Sequence, residues 1–215
     1  MVSDSAIFKF SSRLVAQNAV KFASPVLRPK ILVVKDHASN GESDNDTEYI
    51  QKVLLTDYKT EILFETSAGL AEKDVEGFDV IWFNNPGHPM GSYKTFQILK
   101  NFKGGVILSG DDLTLGNGFS LQELTGLKHI DNGTSAVCNG VHINLDNNQG
   151  TKYQIDMSST FLPGIPESIR LFEYGNDIDN SVLAYDEQKF EVLAYATVQS
   201  KNCETKRPVI VRYTK

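Results

Sequence analysis

The chain has no apolar run approaching the roughly 20 residues that a membrane-crossing helix needs, so no membrane span is expected. It also lacks a surplus of basic residues: 21 Lys and Arg stand against 27 Asp and Glu, a formal net charge of −6. A polyanion is held by concentrated Lys and Arg, so nucleic acid is not an expected partner. Cysteine is scarce, with only Cys138 and Cys203, each next to an asparagine. A disulfide between them would suit an exported protein, and two separate thiols would suit a reducing compartment; spacing does not choose. No P-loop, G-x-G-x-x-G fingerprint or zinc-type cysteine cluster is present, which removes the usual sequence support for nucleotide and zinc chemistry. Internal repeats and low-complexity tracts are also missing, which excludes solenoid and fibrous architectures.

What is present is ordinary globular material: 215 residues, 40% of them hydrophobic, enough to bury the core of one domain. Residues 1–29 differ from the rest. Phe8, Phe10, Leu14, Val15 and Phe22 alternate with Lys9, Arg13 and Lys21, and Asp4 is the single acid. The composition is that of a transit peptide without the continuous apolar centre of a secretory signal. It equally suits a helix whose apolar side packs on the domain or on a neighbouring chain. The expected organisation is therefore an amphipathic or targeting-like segment over 1–29 and a single α/β domain over 30–215.

From Lys30 onward the pattern becomes regular. Ile31 to Val34 is a short apolar run after Pro29, as a strand buried on both faces reads. Asp46 or Thr47 can cap a helix carrying Tyr49, Ile50, Val53 and Leu54, and Glu61 to Phe64 follows as a second strand. Phe78 to Phe83 is a third strand, Ser92 opens a helix carrying Tyr93, Phe96, Ile98, Leu99 and Phe102, and Gly104-Gly105 leads into a fourth strand at Val106 to Leu108. Alternating strands and helices favour parallel pairing with helices on both faces. The second half has a short helix at 120–124 and then turn residues and strands: Val141 to Leu145, Tyr153 to Met157, Ile169 to Tyr174, Glu191 to Val198 and Val209 to Tyr213. These extend or flank the sheet, the last three as an antiparallel addition.

In an open parallel sheet, ligands bind beyond the carboxyl ends of the strands. After the first strand stand Asp36 and His37; after the third, Asn84, Asn85, Pro86, Gly87, His88 and Pro89; after the fourth, Ser109, Gly110, Asp111 and Asp112. Carboxylates, an imidazole and Gly-freed backbone there would suit polar-ligand binding or acid–base work. The same residue types also cap helices and form Asx turns. Two prolines and a glycine within residues 84–89 make either a rigid recognition loop or a stiff connection. Asp111 and Asp112, joined by Asp36, offer oxygen ligands to Mg²⁺ or Ca²⁺, or else cap the next helix. Asp177, Asp179 and Asn180 have alternate oxygen spacing but lack the later Gly and Glu of a calcium loop, so a turn is expected. Ser109-Gly110 is an incomplete nucleophile elbow, without the earlier glycine of G-x-S-x-G.

Lys30-Ile31-Leu32-Val33-Val34, Gly77-Phe78-Asp79-Val80-Ile81-Trp82 and Gly104-Gly105-Val106-Ile107-Leu108-Ser109-Gly110-Asp111 together resemble the ThuA-like and class I glutamine amidotransferase-like superfamily. Leu124-Thr125-Gly126-Leu127 is similar to the segment after the elbow in many ThuA-like chains, and the resemblance covers roughly residues 30–130. It implies a flavodoxin-like, doubly wound, mostly parallel sheet, here with a β-rich C-terminal half. Active amidotransferases carry a cysteine at the elbow after the fourth strand and a later His-Glu pair. This chain has Ser109-Gly110-Asp111-Asp112 there, and no His-x-Glu follows. The resemblance implies a scaffold without glutamine hydrolysis, and its bacterial relatives in exported or surface proteins tilt the expected location towards export or the periplasm.

The expected function is thus a non-catalytic domain binding a small polar ligand, a glycan or a protein partner through Asp36, His37, Asn85, His88, Asp111 and Asp112. The alternative is a hydrolase using Asp111 or Asp112 with His88, metal-assisted or not, or Ser109 as nucleophile. No cofactor is expected under the first reading; a divalent metal enters only with the second.

Overall fold

The computed structural model describes residues 6–37, 44–84, 92–109, 124, 128–131, 135–138, 141–144, 152–157, 168–172, 182–184, 187–200 and 203–213. The chain divides into two units, Met1–Leu124 and Thr125–Lys215. In the first, strands β1 (Lys30–Lys35), β2 (Lys59–Phe64), β3 (Val80–Asn84) and β4 (Gly105–Ser109) form one sheet in the order β2-β1-β3-β4. Every pairing is parallel. This is an α/β arrangement, and each expected strand of the first half lies where its apolar run places it.

The order dictates where the helices go. The chain moves from β1 outward to β2, then crosses back over β1 to reach β3 and β4. Right-handed crossovers that travel in opposite directions must lie on opposite faces of a sheet. Accordingly, one core contains Ile31, Val33, Val80 and Trp82 with Ile50, Leu54 and Leu55 from the β1–β2 connection. The other contains Leu32, Val34, Ile81 and Phe83 with Leu70, Phe96 and Leu99 from the later connections. Because β1 has an apolar cover on both sides, Ile31, Val33 and Val34 are wholly buried.

Helix α1 (Ala6–Ala23) belongs to this core. Ala16 and Val20, four residues apart on one helix face, are buried against the side of the sheet that carries Ile31, Val33 and Trp82. Residues 6–23 of the segment expected to be amphipathic or targeting-like form this helix, and its Ala16–Val20 face packs on the sheet. The helix ends at Ala23, two residues before Pro25, which has no N–H to continue it, and Ser24 Oγ accepts the Val26 N–H at 3.2 Å. From the middle of the helix, Arg13 and Gln17 both donate to Asp57 Oδ2, at 2.7 and 2.5 Å, in the turn before β2.

The β1–β2 connection starts earlier than expected. Helix α2 (Asp44–Tyr49) begins before Asp46 and Thr47, so both lie within it instead of capping it. It runs on into a π-helical turn, Ile50–Leu54, closed by Leu55 N–H to Ile50 O at 3.0 Å. A single turn, α3 (Glu72–Val75), precedes β3, with Asp74 Oδ2 accepting the Ala71 N–H at 2.8 Å. Helix α4 (Tyr93–Asn101) follows Ser92 as expected and buries Thr95, Phe96 and Leu99.

Two glycine positions are set by contact. A Cβ on Gly105 would lie 2.3 Å from the Ala23 carbonyl oxygen, so the pair Gly104-Gly105 does more than end α4: it lets β4 run against the end of α1. Gly69 has φ +72°, and a Cβ there would lie 2.2 Å from Ser92 Oγ at the start of α4.

In the second unit, β5 (Lys128–Asp131) pairs with β10 (Val182–Ala184), and β6 (Ser135–Cys138) with β7 (Val141–Asn144). A four-stranded sheet has the order β12-β11-β8-β9, from β8 (Lys152–Met157), β9 (Ser168–Phe172), β11 (Phe190–Ser200) and β12 (Cys203–Tyr213). All of these pairings are antiparallel. The three strands expected to form an antiparallel addition are in this sheet, with β8 standing between β11 and β9. Strands β5, β6 and β10 are short and lie in stretches that read as turns.

Replacing Val20 by Ala is expected to lower the stability of the first unit by about 2 kcal/mol, the transfer cost of the lost methyls plus the cavity. Gly105→Ala is expected to be destabilising as well, by forcing β4 from α1. Denaturant unfolding followed through Trp82, the chain's single tryptophan, on β3, reads both; unchanged midpoints would show that α1 is not part of the core.

Candidate ligand-binding site

Parallel strands that start in register also finish in register, and here the carboxyl end of the sheet is polar. Lys35 pairs with Phe64 on one side and with Asn84 on the other, and Asn84 pairs with Ser109. The β1–β2 ladder extends one step further, Glu65 N–H donating to Lys35 O at 3.0 Å. Glu65 is thereby held beside Asp36 and His37.

Continuing the alternation of Leu32 and Val34, Asp36 falls on the α4 side of the sheet, and Glu65 follows Leu63 to the same side. His37 Nδ1 stands 3.3 Å from Asp36 Oδ1 and 3.3 Å from Glu65 Oε2. The His37 backbone N–H also donates to Glu65 Oε2, at 3.4 Å. The second oxygen, Oε1, accepts a hydrogen bond from the Thr95 hydroxyl. Thr95 Oγ1 in turn accepts the Leu70 N–H at 2.9 Å. Both carboxylate side chains are 0% exposed, and that of His37 is 24% exposed. One donor atom from each of Asp36, His37 and Glu65 lies within 4.8 Å of the other two.

Two carboxylates so close and so dry cannot both be charged cheaply. Glu65 is accordingly pushed up from 4.5 to about 7, first by burial and next by the negative charge of Asp36. Hydrogen bonds from His37 act in the opposite direction, while a hydrogen bond between the two carboxyl groups, available only when one is protonated, adds to the rise.

A second polar chain lies on the opposite face, at the same end of the sheet. Trp82 Nε1 donates to Ser109 Oγ at 2.8 Å, the Ser109 hydroxyl donates to Asn84 Oδ1 at 3.0 Å, and Asn84 Nδ2 donates to Thr47 Oγ1 at 3.4 Å. Among the described residues, the partners of Ser109 are an indole and an amide, neither of which can take a proton from a nucleophile.

Of the residues singled out in the sequence, Asp36 and His37 come together. Ser109 is placed on the other face with Asn84. Asn85, His88, Asp111 and Asp112 lie outside the described residues. Glu65 and Thr95 were not anticipated, though each left a signal. Glu65 is the first residue after the second strand, a rim position equivalent to Asp36. Thr95 interrupts the apolar face of α4, one residue before Phe96 and four before Leu99, where a polar side chain must find a partner. No protein-family model matches the chain, and no curated protein matches it.

Glu65 titrates near 4.5 when unfolded and near 7 when folded. Between those values the folded state binds more protons, so stability is expected to fall as pH rises across the window. Glu65→Gln is expected to flatten that part of the profile. Denaturation midpoints at pH 4.5, 6 and 7.5 measure it, and an identical slope in the variant would mean that Glu65 does not carry the buried proton.

Proposed function

We propose that this chain is a non-catalytic binding domain on a flavodoxin-like, doubly wound scaffold of the class I glutamine amidotransferase-like kind, holding a small polar ligand at the rim beyond β1 and β2. The observation that carries this reading is the convergence of Asp36, His37 and Glu65 at the carboxyl ends of two adjacent parallel strands, the edge at which sheets of this type bind ligands.

The strand order β2-β1-β3-β4 supports the scaffold. Winding reverses between β1 and β3, so the connections leave the sheet on opposite faces there, next to the end of β1 that carries Asp36 and His37. The engagement of Ser109 with Trp82 and Asn84 supports binding over nucleophilic catalysis. Among the described residues, the neighbours of this hydroxyl, an indole and an amide, offer no general base. The chemistry of the rim favours a ligand bearing a cation or several hydrogen-bond donors, because its exposed element is an imidazole backed by two carboxyl groups.

The test is a thermal-shift panel of small polar compounds (amines, amino acids and sugars) on the full chain, with and without added divalent ions. A compound present at a hundred times its Kd is expected to stabilise the folded state by about 2.7 kcal/mol. His37→Gln, at the most exposed member of the site, is expected to abolish the shift. A panel without a hit, or a hit that persists in His37→Gln, would reject the rim as the binding site.

A further inference from the structure

We propose that Asp36, His37 and Glu65 form a site for one divalent transition cation, bound by an imidazole nitrogen and two carboxylate oxygens, with its remaining positions turned to the ligand. The inference rests on the binding reading above and specifies what the ligand meets.

Distance is the first ground. Donors bonded to one ion at ~2.0–2.2 Å stand roughly 3–3.5 Å apart at adjacent corners of a tetrahedron or octahedron. His37 Nδ1 is 3.3 Å from Asp36 Oδ1 and 3.3 Å from Glu65 Oε2, so both nitrogen–oxygen separations already have the spacing of adjacent corners. All three donor atoms lie within 4.8 Å of one another.

The donor set is the second ground. Imidazole suits zinc and its transition-series neighbours, and carboxylate suits manganese and the harder ions, so a mixed set of one nitrogen and two oxygens selects a borderline ion such as Zn²⁺ or Mn²⁺. Ca²⁺ takes six to eight oxygens, which this cluster does not offer among the described residues. Three protein donors also leave coordination positions free, as in sites that present a metal to a ligand.

The outer partners are the third. A ligating carboxylate is normally held by further hydrogen bonds. Glu65 Oε1 is held by the Thr95 hydroxyl, and Thr95 by the Leu70 N–H at 2.9 Å, which leaves Oε2 directed at His37. A bound cation is one of the ways in which two carboxyl groups with no exposed surface are relieved, and the partly exposed imidazole marks the side from which an ion enters.

The experiment is equilibrium dialysis of the chelator-stripped, untagged full chain against Zn²⁺, Mn²⁺, Mg²⁺ or Ca²⁺, with metal analysis. One Zn²⁺ or Mn²⁺ per chain is expected, bound at least tenfold more tightly than Mg²⁺ or Ca²⁺ and at least tenfold more weakly by His37→Gln and by Glu65→Gln. Independently of how the variants fold, Mn²⁺ added to the isotope-labelled wild-type chain is expected to broaden the amide signals of Asp36, His37 and Glu65 first. No bound transition ion, unchanged affinity in both folded variants, or broadening centred elsewhere would overturn the proposal. If metals fail while a polar compound still stabilises the chain in a His37-dependent way, the binding reading stands and the metal falls; if both fail, both fall.

Discussion

Parallel pairing of β1 with a neighbour on each side is the constraint from which the first unit follows. A parallel central strand cannot leave either face open to water, because its crossovers and its own apolar residues require cover on both. Ile31 and Val33 take theirs from α1 and the β1–β2 connection; Leu32 and Val34 take theirs from α4 and the segment around Leu70. The same pairing makes β1, β2 and β3 end level, at Lys35, Phe64 and Asn84. Polar residues that follow them are brought together by the ladder itself, without any attraction among their side chains.

That distinction matters for the energetics of the cluster. Asp36 and Glu65 repel each other when both are ionised, and water is not available to screen them. The apolar faces beneath them and the ladder bond from Glu65 N–H to Lys35 O hold them in place. The fold thus imposes an electrostatic conflict, and the conflict is relieved by a retained proton, by the imidazole, or by a bound cation. Sites of this kind are stabilised by their occupants more than they stabilise the chain.

The arrangement of β1 to β4 was legible because parallel strands buried on both sides are written as unbroken apolar runs, Ile31–Val34 and Val80–Phe83 among them. The helical period after Ser92 was equally plain. Three things were not. Among the described residues, α1 enters the apolar core through Ala16 and Val20 in a basic segment, and an alanine carries little hydropathic signal. The start of α2 at Asp44 is hidden because Asp46 and Thr47 are such favourable capping types that local propensity points three or four residues too late. The site was half legible: a residue after a strand invites inspection, but which neighbour it meets depends on strand order, and β1 lies beside both β2 and β3. Asp36 finds Glu65 on β2's side.

Gly69 shows how far from a site its geometry can be decided. It touches neither Asp36 nor His37, yet its missing side chain is what admits Ser92, and with it the first turn of α4, into the space beside the β2–α3 loop. Thr95 sits on that turn. Position 69 is thus a silent partner of the cluster: a side chain there would meet Ser92 and Thr95 together, so the backbone that only glycine adopts freely also keeps in place the hydroxyl bonded to Glu65.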